Sequence, residues 1–162
     1  MPEKIKKEYG YACKISAIGA TFLYALFAYC LLALIVLIVA LSSFISESVR
    51  YVFPTLALIS HVSTTGAVFL LAEFLRRFRK ADSPFETKQS FRLSGAALFL
   101  AIRTLIDCFV PTFNPISTSS GAVIVPQSGP DLKVVVMVVF LVCLAMVVRY
   151  GDALKEDSDA FV

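Results

Sequence analysis

The sequence predicts an all-α integral membrane protein, a bundle of four transmembrane helices in a single domain. Hydrophobic residues make up 58% of the 162 residues and charged residues 17%, against about 45–50% and about 25% in soluble domains. The apolar residues are concentrated in runs long enough for membrane spans of roughly 20 residues. A chain of this length has room for about four such spans, which excludes a large catalytic domain outside the membrane.

The first span is predicted at residues 16–41, inside an uncharged stretch from Ile15 to Ser46. Four lysines precede this stretch, as in a signal peptide, but the apolar core of a signal peptide has only about 7–15 residues. We therefore expect a retained membrane anchor. A short connection leads to the second span at residues 52–74, where Pro54 falls in the first turn and costs little.

Polar residues interrupt the middle of the second span and should face protein rather than lipid. The third span, predicted at residues 93–110, carries Arg103 and Asp107 four residues apart, on one helix face where they can form an ion pair. At 1.5 Å per residue, His61 and Arg103 lie at similar depths, roughly 13 Å and 10 Å from the outer end. Ionisable residues inside a membrane are functional candidates. The predicted intramembrane polar cluster consists of His61, Ser63, Thr64, Arg103 and Asp107.

Two interpretations of this cluster stay open. In the first, the cluster forms a polar site for a small ligand, an ion or a proton. In the second, it locks the helices together, and the long aliphatic part of Arg103 lets the guanidinium group reach water. A metal site is not predicted, because the chain has one histidine and no thiolate is spaced to join it. No catalytic or phosphate-binding motif is present in the sequence. We expect neither a cofactor nor enzymatic activity.

The connection between spans two and three, residues 75–92, is strongly basic. Each of its cationic side chains contributes roughly 1 kcal/mol to the binding of an anionic membrane surface. The connection therefore serves membrane adhesion and topology, or it forms a docking surface for a cytoplasmic partner. Its basic residues are Arg76, Arg77, Arg79, Lys80, Lys88 and Arg92.

Within this connection, Ser83-Pro84-Phe85-Glu86 has the pattern of a helix start. Serine at the N-cap, proline at the first helical position and glutamate at the third satisfy the first free N–H groups. We expect a helix to begin at Pro84, with amphipathic first turns, and to continue into the third span.

Proline and small polar residues fill residues 111–131 and break any helical continuation there. The last span is predicted at residues 132–149. It begins beside Asp131, whose negative charge suits the positive end of the helix dipole. Tyr150 and Gly151 mark its exit into an acidic tail, residues 152–162.

The distribution of lysine and arginine predicts the orientation. Twelve of these residues lie in the amino tail, the basic connection and the carboxyl tail, against two on the other side of the spans. Cytoplasmic segments carry the excess of positive charge, so both termini should be cytoplasmic and residues 111–131 should be outside. Because the positive charges surround the spans and form no single stripe, we expect no direct binding to nucleic acid.

Two stretches of the chain carry a family resemblance. The first is Ser83-Pro84-Phe85-Glu86 with Lys88, Arg92, Leu93 and Gly95; the second is Leu144-Ala145, Arg149-Tyr150-Gly151, Leu154-Lys155-Glu156-Asp157 and Ser158-Asp159. With the four-span layout, the chain resembles the bacterial membrane family known as domain of unknown function 2975. It departs from the family's tail after Asp159, where Ala160 and Phe161 follow.

The resemblance implies a multi-pass protein of the bacterial inner membrane. Members of the family are often encoded beside small helix-turn-helix regulators, which implies a non-enzymatic regulatory or accessory protein coupled to such a cytoplasmic partner. The alternative is a small transporter or channel-like protein that uses the polar cluster of spans two and three. We expect the lipid bilayer as a partner, and the oligomeric state stays open, a homo-oligomer included.

Overall fold

The computed structural model describes residues 3–44, 52–78, 87–109, 116–117, 123–124 and 131–160. These residues form four helices: α1 (Glu3–Phe44), α2 (Val52–Phe78), α3 (Thr87–Phe109) and α4 (Leu132–Ala160). Two short strands, β1 (Ile116–Ser117) and β2 (Val123–Ile124), pair antiparallel between α3 and α4. The prediction of a helical protein is therefore confirmed, with a small strand pair inside the predicted outer loop.

Each helix packs antiparallel on the next one in the chain. Ser16 of α1 is hydrogen-bonded to Leu75 near the end of α2, and Ser90 near the start of α3 is hydrogen-bonded to Ala145 of α4. Among the described residues, α1 contacts α2, α2 contacts α3 and α3 contacts α4, and no other pair of helices is in contact. The helices therefore form an open row, in which α1 and α4 are the two edges.

Small residues allow these helices to approach closely, as is common where helices pack in membranes. A Cβ added at Gly19 of α1 would lie 2.9 Å from Leu75 Cδ1, and one added at Gly66 of α2 would lie 3.3 Å from the Phe99 ring of α3. The core between α3 and α4 likewise combines small and large side chains. It consists of Leu93, Ala96, Ala97, Leu141, Ala145 and Val148.

Large apolar side chains cover the outer faces of the row, where a soluble protein would place polar ones. Ile18 of α1 is 73% exposed and Met146 of α4 is 66% exposed. Within the described residues, three helical segments are long and apolar enough to cross a membrane: Gly10–Val39, Thr55–Phe78 and Leu132–Leu154. The chain therefore has the character of a membrane protein.

The helices α1 and α4 continue furthest beyond their predicted spans. The first span, residues 16–41, lies inside α1, which begins at Glu3, and the last span, residues 132–149, lies inside α4, which continues to Ala160. Gly151 does not end α4, because a single glycine costs only about 1 kcal/mol in a helix and the residues that follow it are good helix formers. Most of the predicted acidic tail is therefore helical.

Asp131 caps the start of α4. Its carboxylate accepts a hydrogen bond from the Lys133 backbone N–H at 3.0 Å, and its own carbonyl accepts the first helical hydrogen bonds from Val134 and Val135. This is the usual N-cap arrangement. The predicted helix start at Ser83, Pro84, Phe85 and Glu86 lies outside the described residues, and α3 is described from Thr87.

We use the name basic end for the end of the row where α1 and α3 begin and α2 and α4 finish. At this end α1 and α4 are the longer helices. Ser16 lies opposite Leu75, so about ten residues of α1 continue past Phe78, and about twelve residues of α4 continue past the level of Thr87. At 1.5 Å per residue these extensions are roughly 15–18 Å long.

Candidate functional site

A polar cluster joins α1 and α2 close to the basic end. Its centre is Glu73, whose side chain is 14% exposed. The Tyr24 hydroxyl of α1 donates to Glu73 Oε2 at 3.0 Å, Arg76 donates from Nε and Nη2 at 2.7 Å each, and Arg77 Nε donates at 2.9 Å. We call Tyr24, Glu73, Arg76 and Arg77 the Glu73 cluster.

The helix itself brings the three charged residues together. Glu73, Arg76 and Arg77 have the i, i+3 and i+4 spacing that places side chains on one face. Arg76 holds both carboxylate oxygens in a two-point contact, which is the strongest arrangement of this pair. Two guanidinium groups face one carboxylate, so the Glu73 cluster keeps a net charge of about +1.

A cleft of about 140 Å³ opens between α1 and α2 beside this cluster. Below it, the Ser16 hydroxyl donates to the Leu75 carbonyl at 2.8 Å, which ties the two helices together at that level. The α1 wall combines two alanines with two hydroxyl-bearing side chains, and the α2 wall combines a leucine with a guanidinium group. The cleft is lined by Ala17, Ala20, Thr21, Tyr24, Leu75 and Arg76.

The predicted intramembrane polar cluster is divided between two helix pairs. Arg103 and Asp107 lie on α3 as an ion pair with Nε and Oδ2 3.6 Å apart, and the Ser60 hydroxyl of α2 donates to Asp107 Oδ1 at 3.3 Å. His61 instead faces α1, with Nε2 3.2 Å from the Cys30 carbonyl oxygen. Ser60, which was not among the predicted site residues, is therefore the residue of α2 that reaches the ion pair.

The hydroxyls around His61 are satisfied within their own helix. Thr64 donates to the Ser60 carbonyl and Thr65 donates to the His61 carbonyl, at 3.0 and 2.9 Å. Ser63 is buried. Thr64 and Thr65 therefore form no link to another helix through these bonds, and the links from this patch to α3 and α1 are Ser60–Asp107 and His61–Cys30.

The ion pair on α3 is loose. Arg103 Nε is buried and has no hydrogen-bond partner among the described residues, since 3.6 Å is too long for a hydrogen bond. Arg103 and Asp107 are respectively 32% and 24% exposed, so both retain access to their surroundings. We therefore expect the Arg103–Asp107 ion pair to contribute only modestly to the free energy of unfolding.

Replacing Asp107 by Ala removes both the ion pair and the acceptor of Ser60. We expect it to lower the free energy of unfolding in detergent by about 1 kcal/mol, because Arg103 is left without a counter-charge. The double change of Arg103 and Asp107 to Leu should recover most of this loss. Thermal unfolding measures both effects. A double variant less stable than Asp107→Ala would show that Arg103 has another partner.

The predicted basic residues have different environments. Arg76 and Arg77 belong to α2 and hold Glu73, whereas Lys88 on α3 is exposed. Arg92 donates from Nη1 to Gln89 Oε1 at 3.1 Å, and Gln89 is completely buried. Arg79 and Lys80 lie outside the described residues. Among the described members of this set, Lys88 is the one whose side chain forms no hydrogen bond or ion pair with another described residue.

Sequence reasoning missed the Glu73 cluster because Glu73 lies at the edge of a predicted span, next to a segment that was interpreted through its positive charge. The available signal was the spacing of Glu73, Arg76 and Arg77. Within the described residues there is no group of three or more potential metal ligands among histidine, cysteine, aspartate and glutamate. No family model, no curated protein and no solved structure matches this chain.

Proposed function

We propose that the chain is a four-span protein of the bacterial inner membrane, with both termini in the cytoplasm. We further propose a non-enzymatic regulatory or accessory role, in which the basic end contacts a cytoplasmic partner such as a small helix-turn-helix regulator. The observation that carries the proposal is the pair of helical extensions of α1 and α4, which leave the row on the same side as the basic residues.

The position of α3 supports a fourth span. It lies between α2 and α4, and both of these contain segments long and apolar enough to cross a membrane. Phe91, Leu98 and Leu105 of α3 are exposed, which suits contact with lipid. Its charged residues Arg103 and Asp107 pair with each other and with Ser60, which lowers the cost of placing them there.

The orientation can be tested with two lysines at opposite ends of the row. Lys88 near the start of α3 and Lys133 at the start of α4 are both exposed. In a variant whose four free cysteines are replaced by serine, each lysine is changed to cysteine and intact cells receive an impermeant thiol reagent. Lys133→Cys should be labelled and Lys88→Cys should be protected until the cells are opened.

The reverse labelling pattern would overturn the orientation. Ser90 would be a poor reporter in this experiment, because it is buried and donates to the Ala145 carbonyl. Cysteine at that position would resist the reagent on either side of the membrane.

The basic end carries negative as well as positive charges, so it suits a partner whose surface also carries both. The α4 extension is acidic, with Asp152, Glu156, Asp157 and Asp159 against Arg149 and Lys155, while the connection between α2 and α3 is basic. The spans are surrounded by lipid in this proposal. A cytoplasmic protein must therefore bind to these surfaces.

The partner can be identified by affinity capture from native membranes in mild detergent and then tested with variants. Changing Arg79, Lys80 and Lys88 to Gln, or ending the chain before Asp152, should reduce capture at least several-fold. Arg76 and Arg77 are left intact, because they stabilise α2 against α1 through Glu73. Electrostatic capture should also weaken as salt shortens the Debye length below about 8 Å.

Lys133→Gln is the matched control, since it removes an exposed lysine at the other end of the row. It should leave capture unchanged. Equal capture by the wild type and both basic-end variants, at low and high salt, would refute the docking proposal. The basic connection would then act in topology and lipid adhesion.

A further inference from the structure

The cleft between α1 and α2 has the size of a small ligand site. A single buried water needs about 10–15 Å³ on the same measure, and the cleft offers about 140 Å³. Ala17 and Ala20 form the α1 wall, where larger side chains would fill the space. The volume suits a group of several heavy atoms.

The charge beside the cleft is positive. Glu73 receives four hydrogen bonds from three side chains, yet two guanidinium groups surround this one carboxylate. The bonds of Arg76 to Glu73 use Nε and Nη2, and the guanidinium also interacts with the Tyr24 hydroxyl. The two N–H groups of Nη1 are not used by Glu73 and can meet another acceptor. Arg76 lines the cleft and its side chain is 42% exposed, so an anion in the cleft can reach it.

The position along α2 matches the boundary of a membrane. The apolar segment of α2 ends at Phe78, two residues after Arg76. Arginine near the end of a span extends toward the headgroup region. The cleft therefore lies just inside the end of the apolar segment of α2, from which the Arg76 guanidinium can extend toward the phosphate groups of a bilayer.

We infer that this cleft binds a phosphate group, held by the Nη1 N–H groups of Arg76, with Ala17 and Ala20 on the α1 side leaving room for it. Guanidinium suits this ligand because its planar N–H donors match two phosphate oxygens. Glu73 fixes the position of Arg76 without cancelling the charge of both arginines. The phosphate is that of a phospholipid headgroup or a free phosphate ion; the inference is independent of any protein partner.

The test uses the purified full-length chain in a mild non-ionic detergent. It is titrated separately with phosphatidylglycerol in mixed micelles and with inorganic phosphate, and binding is followed by thermal shift and by native mass spectrometry. The decisive variant is Ala17→Leu, which fills the cleft and keeps every charge. Its matched control is Ala28→Leu, on the exposed face of α1.

We expect wild type to retain one equivalent of the lipid and Ala17→Leu to bind it at least tenfold more weakly, with Ala28→Leu within twofold of wild type. Arg76→Gln should also weaken binding at least tenfold, whereas Lys133→Gln, which removes an exposed charge at the other end of the row, should not. Because Arg76→Gln also removes hydrogen bonds to Glu73, the folding of this variant is checked by circular dichroism. If Arg76→Gln is unfolded, Ala17→Leu alone decides whether the cleft binds phosphate.

In a second outcome, the protein retains no lipid but binds inorganic phosphate, and Ala17→Leu and Arg76→Gln weaken this binding. This result would support the phosphate site and identify its ligand as a free ion. Ala17→Leu that binds both ligands like wild type would overturn the inference. So would an equal loss in Lys133→Gln, since this would indicate that the ligand adsorbs to exposed positive charge in general.

Discussion

Replacing Glu73 by Ala should lower the free energy of unfolding in detergent by about 2–3 kcal/mol, since hydrogen bonds to a charged group contribute about 1.5–3 kcal/mol each. The change removes the acceptor of Tyr24, Arg76 and Arg77 at once. The total stays below the sum of the single bonds because both arginines are partly exposed and regain hydration. Thermal or denaturant unfolding of the purified protein measures the loss.

Two milder variants separate the parts of this effect. Tyr24→Phe removes the hydrogen bond of the Glu73 cluster that crosses from α1 to α2 and should cost about 1 kcal/mol. Glu73→Gln keeps the shape of the side chain without its charge and should fall between the two. If Glu73→Ala is as stable as wild type, the cluster is only a surface ion pair and does not join α1 to α2.

The Glu73 cluster shows what the sequence could not reveal. Its i, i+3 and i+4 spacing is visible in the sequence, but its partner Tyr24 is 49 residues away. Hydropathy reports which segments are apolar and gives no information on which side of one helix meets the next. For the same reason the sequence placed His61 beside Arg103, whereas the structure turns His61 toward Cys30 and brings Ser60 to Asp107.

The helices themselves followed from the apolar runs, because a long apolar segment must satisfy its backbone internally. Each of the four predicted spans coincides largely with one helix. The helix ends were harder to predict from the sequence, since lysine, glutamate and alanine continue a helix readily beyond the end of an apolar segment. This explains why α1 begins at Glu3 and α4 continues to Ala160.

The arrangement of the helices as a row was beyond the reach of sequence patterns. A closed bundle and an open row both leave apolar faces exposed to lipid, so composition does not distinguish them. The row instead follows from particular small residues, such as Gly19 against Leu75 and Gly66 against Phe99, that set the contacts of each neighbouring pair. The core between α3 and α4 depends on the same kind of contact.

Leu93→Ala should destabilise the protein by about 2 kcal/mol, at the lower end of the range for buried leucine. Leu93 is 1% exposed and belongs to the core that joins α3 to α4. In a membrane or detergent the apolar transfer contribution is small, because lipid is as apolar as leucine. The expected loss is therefore mainly the loss of packing contacts around the cavity.

Leu98→Ala provides the matched control on the same helix, because Leu98 is 62% exposed. It removes the same atoms from a face that meets lipid or detergent, so its stability should stay within about 0.5 kcal/mol of wild type. Unfolding of both variants in the same detergent gives the comparison. Equal losses at the two positions would mean that α4 does not pack on α3 in solution. A large loss at Leu93 alone would show that the contact between α3 and α4 contributes to stability, as expected for a helix whose buried face packs on its neighbour.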